Sequence, residues 1–185
     1  MTTINFTPMQ HILFLRAINV SGSRVIKMQD LRTMLEAIPG ISNVKTYIQS
    51  GNVILDAKGT DTDKLAAKIE KHLAKALGHD MEAFIRTTEE LQAIADNNPY
   101  PAKENHTLYI TFLRTTPDKA LVKALIDKST AVDQFAVSGR EVYTFVDKTA
   151  PKSIFTNMML EKHFKQQGTG RNLNTVHKML ALAGK

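Results

Sequence analysis

The chain of 185 residues contains no cysteine, which excludes a disulfide framework, a thiol nucleophile and a thiolate metal site. No window approaches the ~18 consecutive apolar residues that a membrane-spanning helix needs. Residues 1–10 carry no charge and no long apolar core, so they do not read as a secretory signal, and a cytoplasmic protein is expected. The histidines, His11, His72, His79, His106, His163 and His177, fall into no HxH or HExxH pattern, and no metal site is expected. GxSxG, GxxxxGK[ST] and GxGxxG are all missing, so neither a nucleophile elbow nor a nucleotide loop is expected, and no cofactor is implied. What remains, at 43% apolar and 23% charged residues, is a composition able to bury a core in one domain or two small ones.

The formal charge of +6 is unevenly placed. Residues 1–98 hold 11 basic and 11 acidic side chains, whereas residues 99–185 hold 13 and 7, so the whole excess sits in the second half. Residues 148–185 carry Lys148, Lys152, Lys162, Lys165, Arg171, Lys178 and Lys185 against Glu161. Such a surface attracts anions over a Debye length of roughly 8 Å, and it equally serves plain solubility.

Two stretches read alike. Phe14-Leu15-Arg16 recurs as Phe112-Leu113-Arg114, and Ser50-Gly51-Asn52-Val53 recurs loosely as Ser138-Gly139-Arg140 running into Val142. The spacing shortens from 98 to 88 residues between the two matches, and the extra ten in the first copy fall in the loop around residues 19–27. The periodicity agrees. Residues 11–15 are apolar on both faces, as in a central strand. Met28, Leu31, Met34, Leu35 and Ile38 have helical spacing, closed by Pro39-Gly40. Residues 44–49 alternate, Ser50-Gly51 reads as a tight turn, and residues 52–56 return. Thr60-Asp61-Thr62-Asp63 opens a helix with Leu65, Ile69, Leu73 and Leu77 inside, ended by Gly78. Residues 81–86 read as a strand, and Thr87 with Glu90 as a capping box.

Residues 97–106, with Pro99 and Pro101, mark a boundary, giving domains 1–98 and 99–185. The order then restarts: strand 108–113, a helix opened by Thr116-Pro117-Asp118, a hairpin of 132–137 and 142–146, and a helix near 153–165. The fold class is therefore α+β, two tandem ferredoxin-like (split βαβ) halves with antiparallel sheets. Gly168-Thr169-Gly170-Arg171-Asn172 reads as a loop, so the second half is expected to lack its last strand and to end in an extra helix carrying Leu173, Val176, Leu180 and Ala183 on one stripe.

Three segments carry polar chemistry. In residues 16–27, Arg16, Arg24 and Lys27 supply positive charge uninterrupted by acid, Asn19, Ser21 and Ser23 can bond a ligand, and Gly22 permits close approach. The competing reading is a loop braced by its own Asn and Ser, with Arg16 paired to Asp30 or Glu36. Tyr47, Gln49, Ser50 and Asn52 gather at a hairpin end, as ligand groups or as ordinary turn residues. Arg171, Asn172, Asn174 and Thr175 open the last helix. Asparagine caps a helix, but an arginine at its positive end asks for a bound anion or a carboxylate. Tyr109, Tyr143 and Phe145 raise base stacking on a sheet, although the signature of an RNA-recognition sheet is not matched.

The strings Leu15-Arg16-Ala17-Ile18-Asn19-Val20-Ser21-Gly22, Lys27-Met28 and Thr46-Tyr47-Ile48-Gln49-Ser50-Gly51-Asn52-Val53 resemble the bacterial domain-of-unknown-function family 1697. Thr169-Gly170-Arg171-Asn172-Leu173-Asn174-Thr175-Val176 resembles that family's C-terminal motif, the likeness running from about residue 11 to 182. The departures are Ala17 and Ser21, where the family usually has glycine, and Leu173, where it usually has tryptophan. The resemblance implies no known activity, cofactor or catalytic residue.

The expected function is binding of a small anionic or polar ligand by the three segments converging where the halves meet. Single-stranded RNA binding through the basic second half is the alternative. An enzyme is the third reading, and without a histidine in these segments its acid–base work would fall to Tyr47 or Lys27. No membrane partner is expected.

Overall fold

The computed structural model describes residues 8–19, 25–59 and 61–184. The chain divides into two compact units, Met1–Gln92 with Met179–Lys185, and Ala93–Lys178.

The first run of elements is β1 (Met9–Leu15), α1 (Met28–Glu36), β2 (Ile41–Tyr47), β3 (Asn52–Ala57), α2 (Thr62–Leu77), β4 (Ala83–Thr87) and α3 (Thr88–Asp96). Its antiparallel sheet has the order β2-β3-β1-β4, the split βαβ arrangement. Leu13 and Leu15 of β1 pack with Leu31 and Leu35 of α1 and Ile69 and Leu73 of α2, each fully buried. Burial of each such side chain contributes about 1.5–3 kcal/mol. Ile12 and Phe14, on the opposite face of β1, are buried as well, so this strand is apolar on both faces.

The helix signals act as their chemistry requires. Asp61 accepts from the Lys64 amide at 3.0 Å, and Gly78 takes φ 74° at the end of α2. The Thr87 amide donates to Glu90 Oε2 at 2.8 Å while the Glu90 amide donates to Thr87 Oγ1 at 3.1 Å, a reciprocal box that starts α3. The hairpin turn is wider than the sequence suggests. Tyr47 pairs with Asn52, so Ile48, Gln49, Ser50 and Gly51 all belong to the loop, and Ile48 takes φ 49°.

The second run repeats the order with β5 (His106–Leu113), α4 (Lys119–Ile126), β6 (Asp133–Ser138), β7 (Glu141–Asp147), α5 (Asn157–Phe164), β8 (Gly168–Asn172) and α6 (Leu173–Leu182). Its antiparallel sheet has the order β6-β7-β5-β8, the same arrangement as the first. Leu113, Phe135 and Val142 from the sheet pack against Leu125 of α4 and Leu160 and Phe164 of α5. The fourth strand expected to be missing is therefore present. Its glycines disguise it, and Gly168 is the crowded one. A Cβ on Gly168 would meet Leu113 Cδ2 and Thr111 Cγ2 at 3.1 Å, because these side chains of the paired strand β5 close over it. Asn157 Nδ2 donates to the Gly168 carbonyl at 2.8 Å, and the Gly168 amide donates to Glu161 Oε1 at 2.9 Å. Two side chains one turn apart on α5 thus hold both backbone groups of one glycine.

Two helix starts shift. Asp118 caps α4 by accepting from the Ala120 amide at 2.7 Å, which leaves Pro117 before the cap instead of in the first turn. Helix α5 begins after Thr156, which accepts from the Met159 amide at 3.0 Å. Ser153 and the Ile154 amide are held instead by the buried Asp133 carboxylate, at 2.5 and 2.7 Å.

Candidate functional site

In the first unit, two of the three polar segments are joined by one side chain. Asn19 Nδ2 donates to the carbonyls of Ile26 and Gln49, each at 3.1 Å, and Asn19 Oδ1 accepts from the Ile26 amide at 2.7 Å. It sits at φ 56°, a conformation asparagine tolerates better than most residues. Asn19 therefore closes the base of its loop and fastens it to the hairpin end. Ser21, Ser23 and Arg24 lie outside the described residues.

Arg16 pairs with neither Asp30 nor Glu36. Its Nη1 lies 3.4 Å from Glu82 Oε2, and its amide donates to the Glu82 carbonyl at 3.0 Å. Lys27 is exposed and precedes α1 without a side-chain capping bond. At the hairpin end, Asn52 is fully buried and its Nδ2 donates to the Tyr47 carbonyl at 3.2 Å, while Gln49 is exposed and Tyr47 and Ser50 are half-buried. A Cβ on Gly51 would meet Ile18 Cγ2 at 2.6 Å and Leu15 Cβ at 2.8 Å, so the Ser-Gly-Asn turn is built for close packing on the strand that leads into the loop. Ala17, at φ 54°, occupies a left-handed position where glycine would be unstrained.

In the second unit, Arg171 folds back onto β8. Its Nη1 donates to Thr169 Oγ1 at 2.9 Å and to the Gly170 carbonyl at 2.8 Å, and burial lowers its pKa to about 10, leaving it charged at neutral pH. Asn172 Oδ1 accepts from the Thr175 amide at 2.8 Å and so caps α6. Asn174 is exposed.

Asn172, Leu173 and Asn174 also line a cavity of about 230 Å³ whose remaining walls come from residues 98–108 and Phe145. Tyr100 stacks on Phe145 with ring centroids 5.1 Å apart and planes 4° from parallel, and His106 leans on the same ring at 4.8 Å. Asn98 positions Tyr100 by a reciprocal pair: its Oδ1 accepts from the Tyr100 amide at 3.0 Å and its Nδ2 donates to the Tyr100 carbonyl at 2.8 Å. Burial raises the Tyr100 pKa. Lys103 adds a positive charge, and no carboxylate lines the cavity. The nearby Asp147 carboxyl is held below its usual range first by hydrogen bonds from Thr149, then by the charges of His106 and Lys103. In the sequence Pro99 and Pro101 mark this segment as a boundary, which hides its packing. A tyrosine between two prolines, preceded by asparagines, was the available signal that the stretch packs.

The aromatic strand residues do not form one platform. Tyr109 is paired with Thr144, so it lies on the opposite face of the sheet from Tyr143 and Phe145. Tyr143 is 2% and Phe145 7% exposed, and Tyr109 packs on Phe155 at 5.1 Å. Among the described residues no cluster of His, Asp or Glu is arranged to hold a metal ion, and no helix is long and apolar enough to cross a membrane.

This architecture defines an α+β protein of two split βαβ halves, each with a four-stranded antiparallel sheet. The family described as protein of unknown function (DUF1697) matches residues 9–143, and the chain belongs to it. The match ends within β7, short of β8 and α6. The fold is similar to that of the conserved bacterial protein SP0830 from Streptococcus pneumoniae, with a TM-score of 0.70 and 20% identity, covering 97% of this chain and 100% of that one. No curated protein matches the sequence.

Proposed function

We propose that this protein binds a small anionic or polar ligand, and that the cavity at the start of α6 receives it. One observation carries the reading: the cavity combines Lys103 and His106 with asparagine side chains and a flat aromatic wall, and no carboxylate lines it, the nearby Asp147 lying outside its walls. The amino end of α6 adds its partial positive charge to the same space. At about 230 Å³ the cavity falls below the usual ligand range of roughly 300–1,000 Å³, which suits a compact anion better than a dinucleotide. In the first half the corresponding polar groups are engaged internally, Arg16 with Glu82 and Asn19 with the loop and hairpin backbones, so the reading rests on the second half. A cysteine-free chain with a metabolite-sized ligand suits a cytoplasmic setting.

The test is a thermal-shift screen of phosphorylated and carboxylated metabolites, followed by calorimetric titration. A ligand at a hundredfold excess over its Kd raises stability by about 2.7 kcal/mol. No shift with any anion at millimolar concentration would overturn the proposal. Salt-sensitive retardation of single-stranded RNA without any small-anion shift would move the reading to nucleic acid, through the basic excess of residues 99–185.

A further inference from the structure

Buried polar atoms without a hydrogen-bond partner are uncommon, and three of those among the described residues belong to neighbouring elements of the second half: Thr111 Oγ1, Thr144 Oγ1 and Asn157 Oδ1. Thr111 and Thr144 are both 0% exposed. Thr111 is paired with Val142 and Thr144 with Tyr109, so the two threonines are diagonal neighbours on one face of β5 and β7. Thr111 is also paired with Gly170 across β5 and β8. A Cβ built on Gly170 would lie 3.4 Å from both Asn157 Oδ1 and Thr111 Oγ1. The glycine therefore leaves a space of about one methyl group between two buried oxygens.

The donor set specifies the occupant. Asn157 is fixed by its Nδ2 bond to the Gly168 carbonyl, so Oδ1 is the atom presented and acts only as an acceptor. The threonine hydroxyls donate or accept. None of the three groups is charged, so the occupant is small, neutral and able to donate at least one hydrogen bond. We propose that a single water molecule is bound in front of Gly170, held by Asn157 Oδ1 and Thr111 Oγ1 with Thr144 Oγ1 across the diagonal, and that it ties the first turn of α5 to the sheet. Buried waters ordinarily make about three such bonds. The Gly168-Thr169-Gly170 segment thereby acquires two distinct tasks. Gly168 leaves room for the Thr111 and Leu113 side chains of β5, and Gly170 makes room for the water.

The experiment compares urea-unfolding midpoints of the wild type, T111V, G170A and the double variant. With a bound water, T111V removes one of its partners and G170A brings a methyl group against it, so each lowers the midpoint. Because both act on the same water, the double variant falls little further than the worse single one. The result that overturns the proposal is a T111V midpoint equal to or above wild type, since an isosteric valine costs nothing where the hydroxyl has no partner. Strictly additive effects of T111V and G170A overturn it too. A high-resolution crystal structure supplies the independent check, with a density peak within hydrogen-bond distance of Asn157 Oδ1 and Thr111 Oγ1 supporting the water and flat density there refuting it.

Discussion

Asn19 Nδ2 donates to the Gln49 carbonyl across thirty residues of sequence, at 3.1 Å, and through this bond the long loop of the first half is fixed to its hairpin end. The same side chain makes two further bonds to Ile26, at φ 56°. Asn19→Ala loses these bonds and adds backbone strain, for an expected cost of about 2–3 kcal/mol. Asn19→Gly loses the bonds but relieves the strain, so it should cost less than alanine. Urea unfolding of both variants checks the order, and equal midpoints for wild type and Asn19→Ala would deny Asn19 this role.

Gly51 and Gly40 form a matched pair for substitution. Both have positive φ, 69° and 86°, but a Cβ at Gly51 would overlap Ile18 and Leu15, whereas none at Gly40 would meet anything within 4 Å. Gly40→Ala should cost only the left-handed backbone strain, about 1–2 kcal/mol. Gly51→Ala adds overpacking of another 1–3 kcal/mol and should lower the melting temperature distinctly more. Similar losses at both sites would mean that Gly51 does not pack this closely on Leu15.

Sequence legibility followed local chemistry and failed where a distant element set the rule. The Thr87–Glu90 box and the Gly78 terminus were readable because each is completed within a few residues. Strand β8 was not, because a glycine in a strand makes sense only once Thr111 and Leu113 of β5 are seen to crowd its Cβ position. The alternation of Tyr143 and Phe145 was legible, but their facing relative to Tyr109 depends on cross-strand register, which Tyr109–Thr144 pairing fixes. Candidate site residues fared likewise. Asparagine at positions 19 and 172 marked real structural joints, yet the cavity wall of Tyr100, Lys103 and His106 arises only when the proline segment folds over Phe145.

Tyr143 supplies a pH prediction. Its hydroxyl donates to the Ile94 carbonyl at 2.8 Å, and burial, with the Glu141 charge adding, pushes its pKa up to about 12. The unfolded chain ionises near 10 while the folded one stays protonated, so over pH 10–12 the folded state holds more protons and stability falls as pH rises. Tyr143→Phe should cost about 1 kcal/mol at neutral pH for the lost bond. Its deficit should then narrow between pH 10 and 12, where the wild type alone bears the tyrosine penalty. Parallel pH profiles of the two urea midpoints would show that Tyr143 ionises freely in the fold.

The cavity yields the prediction that bears most directly on function. Lys103 is its exposed ammonium, and Leu173 lines it at the first position of α6. Lys103→Gln keeps the length of the side chain roughly but removes the charge, and loss of a charge-assisted bond of about 1.5–3 kcal/mol weakens an anion roughly tenfold to a hundredfold. Leu173→Trp acts by volume: an indole in place of the leucine side chain occupies ligand space without touching the charge. Calorimetric titration of whichever anion the screen finds should show weaker binding for both, with only Lys103→Gln also flattening the dependence on salt. The distinction matters because a diffuse basic surface would respond to the lysine and ignore the tryptophan. Unchanged affinity in both variants would remove the ligand from this cavity and leave the charge excess of the second half as a solvating surface.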